Sequence, residues 1–413
     1  MAIHPMSIHR LGLRSASLVV MTLTLLGANP PAFAATLGEA VQQALERRPQ
    51  ARANAARSQV GAGYQRQSNQ LLGGQPQAAV SHLTDQLSSD QGLRETEAYV
   101  ELPLWLPGQR QARRTLGERI LAEADAGFER LRWEVSEQVR ERAWNLRLAE
   151  AERALAERHL ESARAFEDEI RRRKQAGELA EQDLLLARQE TVLRETTFEA
   201  AVAEEQRARA AWQSYTALDQ LPVDLEGETL SQAQLTDRHP LLAAKAGVME
   251  RQRAMRDDTR VSQRESPLLK LGAKRQRGSD EDPYVNSLGA EIKIPFGGAG
   301  LAAPAIAEAE AALTEAEAAY AEAHYDLELE LEQQRIALKQ AGSARELAEQ
   351  RNRLAQQGLH LAERSFALGE SNLRTLLLAR EDAASAALDL ERRRLERLRA
   401  IARYNQSLGV IPQ

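Results

Sequence analysis

The chain has 413 residues, of which 28% are charged and 4% aromatic, and its formal charge is −6. It contains no cysteine, which excludes disulfides, thiolate metal sites, a catalytic thiol and a lipidated N-terminal cysteine. Acids and bases are interspersed, with no basic block beside stacking aromatics, so nucleic acid is not an expected partner.

Residues 1–34 read as a secretory signal peptide. His9, Arg10 and Arg14 precede an apolar run from Ala16 to Gly27, and Ala32-Phe33-Ala34 forms a cleavage site before Ala35. The run is about 12 residues, short of the roughly 20 a spanning helix needs. Loss of Arg10 and Arg14 would shift the formal charge from −6 to −8. No later run approaches about 18 apolar residues, so a membrane crossing by this chain would have to use strands. The abundance of Ala, Leu, Glu, Arg and Gln favours long helices with narrow apolar seams.

The first predicted helix covers Leu37–Leu72. Two extended segments follow, Gln77–Ser88 and Glu95–Leu104, joined by the polar loop Ser88-Ser89-Asp90-Gln91-Gly92. In the second segment Tyr99-Val100-Glu101-Leu102-Pro103-Leu104 alternates at the period of a strand. A very long helix is expected over Gln109–Gln175, because no proline occurs between Pro107 and Pro222 and a seven-residue seam runs through Val139, Leu146 and Leu160. A turn at Gly177 leads into a return helix over Leu179–Leu218. Residues 221–236, with Pro222, Gly227 and several acids, form a linker or equatorial segment. The order then repeats: a helix over Arg238–Gln263, extended segments Pro267–Arg277 and Tyr284–Pro295, a long helix over Ala305–Ala367, a turn at Gly369, and a return helix over Asn372–Leu408. In these strands Leu269, Leu271 and Ala273 alternate with Lys270, Gly272 and Lys274, and Leu288, Ala290, Ile292 and Ile294 oppose Glu291 and Lys293. Leu347, Leu354, Leu361 and Leu368 recur every seven residues, and Ala309, Ala312, Ala316 and Ala319 allow close helix approach.

This order reads as an internal duplication. Leu184-Leu185-Leu186-Ala187-Arg188 recurs as Leu376-Leu377-Leu378-Ala379-Arg380, 192 residues later. Gly177 with Gly369 and Pro103 with Pro295 keep that offset, and Arg48-Pro49 matches His239-Pro240 with a one-residue slip. The expected division is therefore signal peptide 1–34, first repeat 35–220, linker 221–236 and second repeat 237–413. Four strands cannot close a barrel, and an open sheet edge is not tolerated in lipid. Several chains would have to pool their strands: three would supply 12 and four would supply 16. A soluble β-layer capping a coiled-coil rod is the alternative.

The chain resembles the TolC-like outer-membrane efflux proteins. The likeness is carried by Thr36-Leu37-Gly38-Glu39-Ala40 through Arg48-Pro49, by Pro295-Phe296-Gly297-Gly298, and by the paired turns Ala176-Gly177…Asp183-Leu184…Arg188 and Leu368-Gly369…Thr375-Leu376…Arg380. The resemblance implies a mainly α protein with a small membrane β-barrel. It implies a homotrimer whose shared barrel continues into an oligomeric α-barrel in the periplasm, docked through a periplasmic adaptor to an inner-membrane pump. It places Arg173, Gly177, Glu178 and Asp183 of the first half, and Arg364, Gly369, Glu370 and Arg374 of the second, at the periplasmic tip. Relatives commonly narrow the tunnel with acids in the second tip, where this chain has Thr375 and Leu378. A constriction here would use Asp183, Arg374, Thr375 and Leu378.

No cofactor or metal site is expected. Histidines 82, 159, 239, 324 and 360 are isolated, and His324 with Glu328 reads as a solvated helical face. Gly297-Gly298-Ala299-Gly300 lacks the Lys-Ser/Thr of a phosphate loop and reads as a strand-to-helix joint. The leading function is a passive conduit of a tripartite efflux or type I export system for heavy metals, drugs or proteins, with no enzymatic activity. A periplasmic adaptor or structural coiled coil without a pore is the alternative.

Overall fold

The computed structural model describes residues 35–297 and 299–413. The expected signal peptide and its cleavage site lie outside the described residues, as does Gly298 of the glycine joint. The elements in order are α1 (Leu37–Glu46), α2 (Pro49–Ser68), β1 (Gln77–Thr84), β2 (Arg94–Pro103), α3 (Gln109–Gln175), α4 (Glu181–Thr216), α5 (Pro240–Ser262), β3 (Leu268–Arg277), β4 (Val285–Lys293), α6 (Ala299–Ala367) and α7 (Leu373–Ser407).

Two boundaries differ from the sequence reading for identifiable reasons. The single helix expected over Leu37–Leu72 is two helices, because Pro49 opens α2 as its first residue. A proline has no N–H to continue α1, yet its fixed φ suits a first turn. At the start of α1 a capping box forms: the Glu39 N–H donates to Thr36 Oγ1 (3.2 Å), and the Thr36 N–H donates to Glu39 Oε2 (2.8 Å). The second long helix starts at Ala299 rather than Ala305, with Pro304 inside it. So close to the N-terminus, Pro304 removes one intrahelical bond without breaking the helix.

The four strands form one antiparallel sheet in the order β1-β2-β3-β4. Its central pairing joins the two halves of the chain, with Ala98 opposite Ala273 and Val100 opposite Leu271. Near the sheet the helices pack in the order α2-α3-α5-α6; farther along, the order is α4-α3-α7-α6. Each level thus holds four helices, with α6 on one flank throughout and α2 or α4 on the other. At about 1.5 Å per residue, α3 carries the chain about 100 Å from the sheet to the turn at its other end.

Midway along α3 lies the largest apolar cluster, where Leu37, Val41, Val139, Trp144, Trp212 and Leu395 are buried together. The segment joining the halves is strapped across this level by ion pairs. Arg140, on α3, donates to Glu228 through Nη2 (2.7 Å) and Nε (3.3 Å) and to the Val410 carbonyl (3.0 Å). Glu226 accepts from Arg147 on α3 (2.5 Å) and Arg394 on α7 (2.9 Å). Asn405 donates to Glu228 (3.0 Å) and to the Thr229 carbonyl (2.9 Å) and accepts from the Ser231 N–H (2.8 Å). Of these pairs Arg140–Glu228 is the buried one, so removing Glu228 would strand the Arg140 charge in a low dielectric at a cost of about 3–5 kcal/mol.

His239 caps α5 with its ring, Nδ1 accepting from the Leu241 N–H at 3.2 Å. The ring is buried edge-on against Trp133, with centroids 5.0 Å apart. Burial pushes its pKa down from 6.5 to about 4. The unfolded chain takes up this proton below about pH 6.5 and the folded chain only below about pH 4. The contribution is therefore lost as pH falls through that window, by up to about 3 kcal/mol. Denaturant midpoints of the wild type should drop across that window, and His239→Asn, which keeps an N-cap acceptor, should drop less; equal slopes would show that His239 is not the titrating group.

Candidate functional site

The sheet separates two kinds of side chain by register. One face carries Val80, Ala98, Val100, Leu102, Leu269, Leu271, Ala273, Leu288, Ala290 and Ile292; the other carries Glu95, Glu97, Glu101, Lys270, Lys274, Glu291 and Lys293. On the central strands the apolar residues from Ala98 to Val100 and from Leu271 to Ala273 are the exposed ones, while the charged residues between and beside them are half-buried. Leu288 is 89% exposed, whereas the Lys270 side chain is only 19% exposed. The charges are matched across the strands: Lys270 with Glu97 and Lys274 with Glu95, both at 2.8 Å, and Lys293 with Glu101 at 3.5 Å. Lys270 Nζ also lies 3.7 Å from the centre of the Tyr99 ring. This arrangement is the inverse of a water-soluble sheet, in which the apolar side is covered.

At the other end of α3 the two turns share one hydrogen-bond pattern. The Glu178 N–H donates to the Arg173 carbonyl (3.0 Å) and the Gly177 N–H to that of Lys174 (3.0 Å); in the second turn Glu370 donates to Ser365 (2.9 Å) and Gly369 to Phe366 (3.1 Å). Both are Schellman motifs, which need a left-handed residue after the helix. Gly177 (φ +82°) and Gly369 (φ +75°) supply it. The return helices are capped in opposite senses. Asp183 reaches back to accept from the Ala180 N–H (3.1 Å), while Asn372 reaches forward to accept from the Thr375 N–H (3.0 Å) and hydroxyl (3.0 Å). The accepting side chain thus moves from Asp183 in the first half to Asn372 in the second, where Thr375, 192 positions after Asp183, is a donor.

The predicted tip residues divide into two groups. Arg173 donates to Glu178 (3.0 Å) and lies over the Phe366 ring (5.2 Å), so it touches both turns. Arg364, Glu370, Arg374 and Thr375 are exposed. The repeated leucine runs turn one residue inward each, Leu184 and Leu376, while Leu185 and Leu378 stay exposed. Sequence reasoning missed the residues that join the two hairpins. Phe166, Ile170, Leu184, Phe366, Leu373 and Leu376 form one buried cluster across both tips, and Arg380 lies 3.9 Å from the centre of the Phe166 ring. Above it Arg194 on α4 pairs with Glu381 on α7. The scarcity of phenylalanine, six in the chain, was the available signal: Phe166 stands 11 residues before Gly177 and Phe366 three before Gly369. His159, half-buried beside this pair, has its pKa lowered by desolvation and then by Arg194 and Arg158. His324 meets Glu328 only loosely, at 3.6 Å, and among the described residues no group of three or more potential ligands could hold a metal ion.

This combination of an inverted four-stranded sheet and two long helical hairpins matches known structures. The chain has the fold of the TolC-like outer-membrane channels. It superimposes on the CmeC outer membrane channel of Campylobacter jejuni with a TM-score of 0.67 at 14% identity, covering 90% of this chain and 85% of that one. The outer membrane protein VceC from Vibrio cholerae gives 0.68 at 17% identity, covering 90% and 96%. The open state of the MtrE outer membrane channel of Neisseria gonorrhoeae gives 0.65 at 18% identity, covering 90% and 88%. No protein-family model matches the sequence, and no curated protein does. At such identities the shared TolC-like feature is the backbone arrangement.

Nothing lies within 4 Å of where a Cβ would stand at Gly177 or Gly369, so replacing either by alanine should cost only the left-handed backbone penalty of about 1–2 kcal/mol. Hydrogen exchange of the amides at Gly177 and Glu178 should speed up accordingly in Gly177→Ala; unchanged protection would mean that the turn does not require the glycine.

Proposed function

We propose that this chain is one protomer of a homotrimeric outer-membrane channel, a passive conduit of an efflux or export system that takes its energy from an inner-membrane pump reached through a periplasmic adaptor. The observation that carries it is the sheet with its apolar side bare and the charges of its central strands half-buried. Among the described residues no helix is long and apolar enough to cross a membrane, so the strands are the membrane-crossing candidates. Their dimensions fit. Tyr284 and the 98% exposed Phe296 bracket β4, 12 residues apart. At about 3.3 Å per residue and a tilt near 40°, that is roughly 30 Å, room for an apolar band and the polar rows that rim it at the far end.

The need for more than one copy comes from unsatisfied edges. β1 and β4 each lack a neighbour on one side, and lipid cannot satisfy their backbone groups. The helical flanks call for the same partner. On α6, Leu347, Leu354, Leu361 and Leu368 are 65–69% exposed, so this seven-residue stripe packs against nothing within the chain. On α4 the opposite flank exposes Leu185, Val192 and Leu193. Leu361 and Leu354 lie eight and fifteen residues before Gly369; Leu185 and Val192 lie eight and fifteen residues after Gly177. Counted from the tips, the two stripes have matching rungs, as an antiparallel α6–α4 contact between neighbouring copies requires. Three copies make 12 strands and 12 helices at each level, which also fits a duplicated ancestral unit contributing two strands and two helices per level.

In this reading the helical part stands in the periplasm. The exposed groups of Arg364, Glu370 and Arg374 and the partnered Arg173 and Glu178 face the adaptor, and Asp183, Arg374, Thr375 and Leu378 border the tunnel entrance. Outer membranes solubilised in detergent should yield heat-labile trimers that conduct ions in planar bilayers; a soluble monomer would exclude the channel. Leu354→Gln with Leu361→Gln should lower the trimer's dissociation temperature, since each leucine is worth about 1.5–3 kcal/mol on burial, and an unchanged temperature would move the contact elsewhere. Replacing Gly177 and Gly369 by bulky residues should impair export while trimers persist; normal export would dismiss adaptor docking at the turns.

A further inference from the structure

The apolar face of the sheet does not stay apolar to its end. Moving away from the helices, the rows on that face run Leu102, Leu269 and Ile292; then Ala78, Val100, Leu271 and Ala290; then Val80, Ala98, Ala273 and Leu288. The next row is His82, Thr96, Arg275 and Asn286, and the last is Thr84, Arg94 and Arg277. Three arginines thus rim the band on its exposed side, at the end farthest from the helices.

These arginines are not neutralised alike. Arg277 is committed to the loop, pairing with Asp280 and donating to the Gly92 carbonyl (3.2 Å). The other ion pairs of the sheet, Lys270–Glu97, Lys274–Glu95 and Lys293–Glu101, lie on the opposite face. Among the described residues none takes up Arg94 or Arg275. Arg94 stands directly across from Arg277 in the register, a like-charge pairing that Asp280 relieves on the Arg277 side only. Tyr284 fixes the other two arginines: the Arg275 guanidinium lies 4.3 Å from its ring centre and that of Arg277 5.1 Å. A tyrosine beneath a guanidinium at the edge of an apolar band is the arrangement expected at the boundary between hydrocarbon and headgroups.

We infer that Arg94 and Arg275, held by the strand register and by Tyr284, form a binding site on each protomer for the phosphate groups of outer-leaflet lipids. The apolar rows below would take the acyl chains and the two guanidinium groups would take the phosphate, which they can bind through paired N–H donors. The two requirements, chains below and anion above, are met together by a phosphorylated lipid and not by free phosphate. The inference rests on the membrane reading of the sheet and goes beyond it, because an inserted barrel needs no particular headgroup.

The test titrates full-length trimer in detergent with diphosphoryl lipid A and with the same lipid stripped of its phosphates. The wild type should prefer the phosphorylated form. Arg94→Gln and Arg275→Gln should each weaken that binding about fivefold and the double variant about 30-fold, from about 1 kcal/mol per arginine at an anionic surface. Binding of the stripped lipid should not change, Arg94→Lys with Arg275→Lys should retain part of the preference, and inorganic phosphate should fail to compete. Equal affinity for the two lipids, an unaffected double Gln variant, or displacement by inorganic phosphate would overturn the site. Trimer content and bilayer conductance, measured on the same samples, separate this from the parent reading. If both persist while the lipid preference is absent, only the arginine site falls; if the wild type neither trimerises nor inserts, the channel falls with it.

Discussion

A sheet that leaves Leu288 89% exposed while it half-buries the charged residues of its central strands is ill-suited to water. The hydrophobic term would drive Leu271, Leu288 and Ile292 to be covered, at about 25 cal/mol for each Å² removed from solvent. Within the chain nothing covers them. In the proposed channel lipid covers them, and much of the remaining architecture fits that setting. The sheet has two unpaired edges, which in lipid would bring copies of the chain together. If they meet at the strands, the helices that continue from those strands must also meet, and the flanks of the helical layer carry apolar stripes in matching positions.

The two ends of the helical layer are built to different standards. At mid-height the crossing segment is tied to both hairpins by charge-assisted bonds from Arg140, Arg147, Arg394 and Asn405, over a core with two buried tryptophans, Trp144 and Trp212. Such a layer resists shear, since displacing α3 against the crossing segment would break the buried Arg140–Glu228 pair. Toward the tips the hairpins touch through a smaller apolar cluster and through exposed or half-exposed pairs such as Arg194–Glu381. Exposed ion pairs are worth about 0–1 kcal/mol each, so relative movement of the hairpins is cheapest there. A rigid middle and a pliable end are what a conduit needs if it is to open at the end that meets its partner.

The charged face of the sheet has its own consequence. In a closed barrel Lys270, Lys274 and Lys293 would face inward together with Glu95, Glu97, Glu101 and Glu291, three lysines against four glutamates, so the lining would be polar and slightly negative.

How much of this was legible beforehand follows the range of the interaction concerned. Strand alternation, proline-free stretches and the glycine turns are local, and they located nearly every element, including α3 to the residue. Local rules also contained the signals that were underread: Pro49 at the head of α2 and Pro304 within the start of α6. The polarity of the sheet was visible as alternation, but not which side would be bare, because alternation is the same for a soluble and a lipid-facing strand. Only the register of β2 with β3, which joins residues about 180 positions apart, set all the apolar residues on one side and gathered Arg94, Arg275 and Arg277 at its rim. The leucines of the α6 seam were recognised, yet only the folded chain shows that Leu347, Leu354 and Leu361 stay exposed. Phe166, Phe366 and Arg380 carried no periodic mark; their meeting depends on two hairpins lying side by side. The sequence by itself determined the elements and their order, through backbone and periodicity. The tertiary structure decided which faces are covered and which charges stand unpaired, because those depend on contacts between segments far apart along the chain.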